Sequence, residues 1–272
     1  VARDAGVSPT TVSRYLNNRI ELPAGTAQRI DNAIERLAYR PNVLARRLST
    51  GRVEAIGLVT PEIRVPFFSE LASAVESEAD SNGYTVFISS TRHDPKRELA
   101  AIRRLQDRHY DGLIMMTTTR DDGTLAAMVE QQRQVVLVDE DIPGVDAPRV
   151  FAENERGAYE ATRHLIEAGH SDIAFLGGSL DLMTSTERRA GYLRAMSEAN
   201  IAVRSELMRA GRYAAPFAEE AVTDLMGLAH PPTAIFATGN ALVVGAVAAL
   251  RRAGLSIPGD VSLVGFDDLP AT

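Results

Sequence analysis

From residue 54 to the end of the chain, short apolar runs alternate with amphipathic stretches, and this alternation limits the possible folds more than any other feature. The runs at 55–60, 85–90, 112–116, 135–139, 173–177, 234–238 and 262–267 read as strands. The stretches at 67–82, 95–108, 155–168, 186–200 and 242–253 carry apolar residues at helical spacing. Parallel strands need a long crossover between them, so the alternation predicts parallel sheets covered by helices on both faces. The length accommodates two such sheets, with the division expected near 150–154, after the fourth strand. At 272 residues with 45% hydrophobic content the chain can bury ordinary cores, which excludes a disordered or fibrous protein.

The first fifth follows another pattern. Ser8 followed by Pro9 is a helix start, a side-chain oxygen to cap free amides and then a residue whose missing N–H costs nothing there. Val12, Tyr15 and Leu16 form one apolar face, while Thr10, Thr11, Ser13, Arg14 and Asn17 fall largely elsewhere. Residues 1–5 read as the tail of a preceding helix, Gly6-Val7-Ser8 as a turn of helix-turn-helix length, and 27–38 as a third helix. A second helix offering hydroxyls, an amide and an arginine at its N-terminal end suits the major groove of DNA. A well-capped solvated helix is the plainer reading of that segment taken alone.

Charge supports the division. Residues 1–52 hold nine arginines against four acids, a surplus of five, so the remainder carries about −12 of a total of −7. Cysteine is absent, which rules out a disulfide framework or a cysteine zinc site and fits a reducing cytoplasm. The apolar runs all fall short of the roughly 18 residues of a membrane span. The five histidines have no metal-ligand spacing, and "LGG" at 176–178 lacks the further glycine of a dinucleotide fingerprint. The sequence calls for no cofactor, metal or catalytic residue.

Three separated motifs in order, "VARDAGVSPTTVSRYLNN", "AIERLAYRPNVLARRLSTGR" and "AIGLVTPEIRVPFFSEL", resemble the LacI/GalR family of bacterial transcription regulators, and the resemblance runs to the last residue. It implies an all-α helix-turn-helix headpiece at 1–40, a hinge helix at 41–52, and an α/β core like that of the periplasmic binding proteins, with subdomains at 53–151 and 152–272. It also implies a few further residues ahead of Val1 and a stretch beyond Thr272 that finishes both sheets, the second subdomain being incomplete here.

By match to the family, Ser8, Pro9, Thr10, Thr11, Ser13, Arg14 and Asn17 are expected at DNA bases or phosphates. In the hinge, Asn42, Arg46, Leu48 and Ser49 are expected to contact DNA, Arg46 at phosphate or in the minor groove and Leu48 as the wedge between base pairs in the minor groove. Eight or nine residues between Pro41 and Gly51 are too few for a stable isolated helix, which agrees with folding on DNA. Pro9 cannot donate a hydrogen bond, so readout there is by apolar contact.

Ligands of open α/β sheets bind beyond the carboxyl ends of the strands. Those positions are 61–68, 90–94, 117–119, 139, 178–186, 239–240 and 267–268. They mix aromatic rings with carboxylates, an amide and hydroxyls, a set suited to a polyhydroxylated molecule, and a sugar is the expected ligand. The resemblance narrows the effector contacts to Phe67, Phe68, Asp139, Arg188, Asn240 and Asp267. Two positions depart from the common pattern: Gly239 stands where asparagine is frequent, and Glu62 where aspartate is usual.

The implied mechanism is a homodimer on a palindromic operator in double-stranded DNA, controlled by a small-molecule effector between the core subdomains and without membrane contact. Repression is the output the family implies. A periplasmic transport protein and an enzyme are the rival classes; the basic headpiece speaks against the first, and the lack of a Ser-His-Asp order, a cysteine nucleophile or a metal cluster against the second.

Overall fold

The computed structural model describes residues 1–17, 19–39, 51–107, 109–117, 123–132 and 134–268. They form two compact units, Val1–Arg52 and Val53–Thr272. The expected hinge residues Asn42, Arg46, Leu48 and Ser49 lie outside the described residues.

The first unit holds α1 (Ala2–Ala5), α2 (Pro9–Leu16) and α3 (Ala24–Arg36). Gly6, at φ 68, ends α1 in the left-handed conformation that glycine adopts without penalty. Ala5, Val12, Ile30 and Ala33 make the buried centre, flanked by Val7, Tyr15, Leu16 and Leu22. The Tyr15 hydroxyl donates to both Asp31 carboxylate oxygens (3.1 and 3.0 Å), tying α2 to α3. The third helix starts at Ala24 rather than at 27, because Pro23 serves as its cap position and Thr26 and Ala27 already donate to the Pro23 carbonyl.

The second unit contains two parallel sheets. The first comprises β1 (Ala55–Thr60), β2 (Thr85–Ser90), β3 (Gly112–Met115), β4 (Val135–Val138) and β5 (Arg149–Val150), in the order β2-β1-β3-β4-β5. It is covered by α4 (Pro66–Ser81), α5 (Pro95–Gln106) and α6 (Thr124–Glu130). The second comprises β6 (Ile173–Gly177), β7 (Met208–Ala210), β8 (Ala234–Ala237) and β9 (Ser262–Gly265), in the order β7-β6-β8-β9. Its faces carry α7 (Asn154–Glu167), α8 (Met183–Glu198), α9 (Ala215–Met226) and α10 (Asn240–Arg252). Strands β6 and β8 are buried along their whole length, as central parallel strands covered on both faces must be.

Each sheet reverses its strand order once, at β1/β3 and at β6/β8, and these are the points where a crevice opens beyond the strand ends. The strand runs expected through Met116, Asp139 and Asp267 end earlier, at Met115, Val138 and Gly265, which leaves both acids in the loops that follow. Helix α8 begins at Met183, three residues before its expected start.

Candidate functional site

Two surfaces bring chemistry-bearing residues together, one on each unit. On the first, Ser8 caps α2: its Oγ accepts from the Thr11 amide at 3.0 Å and lies 2.8 Å from the Thr11 hydroxyl. Val12 points into the small core, which turns Pro9, Thr10, Ser13 and Arg14 outward, all exposed. Asn17 is also exposed, but its Nδ2 donates to the Ser13 carbonyl at 2.7 Å, so part of its amide is committed to its own helix. The first turn of α2 contains no acid, and the N-terminal end of a helix favours negative charge such as phosphate.

The second surface lies at the strand ends of the core. Arg188, on the second turn of α8, is only 7% exposed. Its Nε donates to Asn154 Oδ1 (2.9 Å), its Nη1 to the Thr238 carbonyl (2.6 Å), and its guanidinium carbon lies 3.8 Å from the centre of the Phe266 ring. Asn154 in turn donates to Glu187 (3.1 Å). Thus Arg188 joins α7, the β8 end and the β9 end.

Asp139 follows β4 in the left-handed region, at φ 69, a conformation that costs most residues strain and that aspartate tolerates better than most. Burial pushes its carboxyl above the ordinary range; Arg188 opposes the shift and the negative charge of Asp267 adds to it. The two acids and the arginine therefore share one electrostatic environment although they come from separate loops. Asp267 also accepts from the Asn240 amide at 3.3 Å. The Asn240 side chain, 5% exposed, has neither its oxygen nor its nitrogen paired among the described residues, and the fully buried Thr238 hydroxyl is likewise unpaired. Buried polar groups are almost always hydrogen-bonded, so these two are candidates for pairing with a bound molecule.

Two contributors have no place in the sequence-based list. Glu140, 4% exposed, accepts from the Met183 amide, from the Thr184 amide (3.4 Å) and from the Thr184 hydroxyl (2.9 Å). It thereby caps α8, which has no capping side chain of its own, from the far sheet. Burial pushes its carboxyl up to about 6 against those favourable hydrogen bonds. Tyr213 is the other: its ring lies over Gly178 and Gly239, so close that a Cβ would fall 2.1 and 2.9 Å from ring atoms, and its hydroxyl accepts from Ser185 at 3.1 Å. The two glycines were the legible signal, since both follow strands and neither starts a phosphate loop.

Of the expected effector residues, Asp139, Arg188, Asn240 and Asp267 come together. Phe68 is buried with Leu58, Ala72 and Met116 beneath α4, while Phe67 is half-buried with its ring centre 5.2 Å from that of Phe68. Among the described residues no group of side chains could hold a metal ion, and no helix is long and apolar enough to cross a membrane.

Comparison with known proteins identifies the relatives of the chain. Residues 53–272 match the family model described as "Periplasmic binding proteins and sugar binding domain of LacI family", and residues 1–42 match "Bacterial regulatory proteins, lacI family". The HTH-type transcriptional regulator DegA of Bacillus subtilis is 35% identical over 98% of this chain and 80% of its own length. The HTH-type transcriptional repressor PurR of Actinobacillus pleuropneumoniae is 33% identical over 99% of this chain and 80% of its own. A crystal structure of the lac repressor dimer bound to operator and the anti-inducer ONPF superposes with a TM-score of 0.84 at 26% identity, covering 98% of this chain and 81% of that one.

Proposed function

The chain belongs to the LacI family of bacterial transcriptional regulators, and on that premise we propose that it is a cytoplasmic repressor that binds a palindromic operator as a homodimer and is controlled by a carbohydrate effector. The observation that carries the reading is the pairing, in one chain, of an acid-free exposed helix start with a buried set of unpaired polar groups at strand ends.

In this reading Pro9, Thr10, Ser13 and Arg14 contact bases or phosphates, with Arg14 pairing a guanine edge and Pro9 meeting an apolar group such as a thymine methyl. Ser8 and Thr11 hold the helix start and present its amides to phosphate. Asn42, Arg46, Leu48 and Ser49 form the hinge segment that completes the contact in the minor groove. Effector bridges Asp139 on one half and Arg188, Asn240 and Asp267 on the other, with Phe67 and Phe68 at the rim and Tyr213 as a stacking face.

Binding across two halves biases their relative arrangement, and the entry to the first sheet is held firmly. Asp111 accepts from the amides of Val53 (2.8 Å) and Glu54 (2.7 Å) where the chain enters β1. A coupling of about 1–3 kcal/mol would change operator affinity roughly 5- to 150-fold.

Selection of binding sites from a random DNA pool tests the first half of this reading. A palindrome should emerge, and Arg14→Ala should relax preference at one base pair per half-site. An unchanged preference removes Arg14 from base readout, and failure to select any site overturns the repressor reading.

A further inference from the structure

The polar inventory of the crevice is unbalanced, and the imbalance says what kind of molecule it takes. Among the described residues its acids outnumber its buried cations: Asp139 and Asp267 share the surroundings of the buried Arg188 guanidinium, and Glu140 adjoins Asp139. That guanidinium is already engaged by Asn154, by the Thr238 carbonyl and by the Phe266 ring. The other arginines near the strand ends are poor anchors for a buried anion. Arg64 is held by Glu62 in a pair with Arg64 85% exposed, and Arg92, Arg189 and Arg212 are exposed, where water and salt screen them.

An acidic cluster alone would not make a ligand site. Here the independent observation is the side-chain amide of Asn240, a residue 5% exposed, unpaired at both atoms among the described residues, next to the unpaired Thr238 hydroxyl. Carboxylates accept hydrogen bonds only, and an amide both donates and accepts, so the complement is a molecule rich in O–H donors that can also accept. Tyr213, half-buried and seated on Gly178 and Gly239, places an aromatic ring beside them. Glycine at 239, in place of the frequent asparagine, exchanges one amide contact for this ring.

We propose that the crevice selects an uncharged, hydroxyl-rich ligand stacked on Tyr213 and rejects the phosphorylated or carboxylated counterpart of the same molecule. The proposal rests on the reading of the crevice as an effector site and adds its charge selectivity. A phosphate or carboxylate brought to these strand ends meets two desolvated acids, and among the described residues no uncommitted buried cation offsets them; repulsion between like charges is strongest where water is excluded.

The test is titration calorimetry of the purified protein with neutral aldoses, polyols and nucleosides, each matched with its phosphate ester or its uronic or aldonic acid. Any neutral compound that binds should lose at least tenfold in affinity when the anionic group is added, and Asp139→Asn should shrink that ratio while the wild-type ratio stands as the primary result. An anionic compound that binds as tightly as its neutral parent overturns the charge selection and leaves a small-molecule effector standing. Silence in both columns overturns the selectivity and the carbohydrate reading together.

Discussion

At the end of β1, Glu62 meets Arg64 two residues away, in a pair whose arginine is 85% exposed. At the ends of β6 and β8, Arg188 reaches Asn154 and Thr238, 34 and 50 residues away, at 7% exposure. The first pair can exchange its partner for water at little cost, whereas the second leaves two buried acceptors empty if it is lost. The second half of the core thus holds a preorganised wall, and the first half lends it two acids, Asp139 and Glu140, and an aromatic edge.

The contrast breaks first at Arg188. Arg188→Met should destabilise the core by about 3 kcal/mol, because a buried charge network loses its centre, and lower the melting temperature by roughly 6–12 °C for a unit of this size. Scanning calorimetry of the variant reads both, and a loss of under about 1 kcal/mol would erase the distinction between the halves.

Helix packing gives the next test. A Cβ on Gly191 would fall 2.1 Å from the Glu155 carbonyl and 2.9 Å from Ala158 Cβ, so Gly191→Ala must force α7 and α8 apart, at about 1–3 kcal/mol. In the first half, a Cβ on Gly112 meets only the Gln134 carbonyl at 3.5 Å, and Gly112→Ala should stay within about 0.5 kcal/mol. Urea midpoints of the two variants side by side would show how much tighter the α7–α8 contact is than the start of β3.

Glu140 crosses between the halves, and pH reports on it. Its carboxyl is pushed up to about 6 from an ordinary 4.5, so between those values the folded chain keeps a proton that the unfolded chain has released. Stability contributed by this group is therefore fully present below about 4.5 and declines as pH rises through about 6, on the order of 1–2 kcal/mol in all. The raised carboxyl of Asp139 acts in the same direction. Glu140→Gln should flatten the slope of unfolding free energy measured from pH 4.5 to 7; an unaltered slope would assign it elsewhere. The smallest effect is expected at Arg64→Ala, whose melting temperature should match the parent.

Much of this was legible before any coordinates. The apolar runs announced most of the strands, Ser8-Pro9 announced α2, and the rule that ligands sit beyond strand ends gave a broad set of positions that includes Asp139, Asn240 and Asp267, which the family resemblance narrowed. The short strands β5 and β7, of two and three residues, carry too little pattern to read, and Tyr213 lies in the loop that follows β7. The start of α8 was placed late because its cap, Glu140, lies 43 residues upstream in the chain.

The sequence by itself determined the alternation of elements, the basic first unit and the capped helix, because periodicity and capping act over a few neighbouring residues, and its ordered motifs carried the family resemblance. Only the tertiary structure decided that Arg188 is bound by Asn154 and Thr238 rather than by its neighbour Glu187, that Glu140 caps a helix of the other sheet, and that Tyr213 covers two glycines. Those partners are brought together by strand order and crossover, and the energy that selects them is burial, which is set only once both sheets have formed.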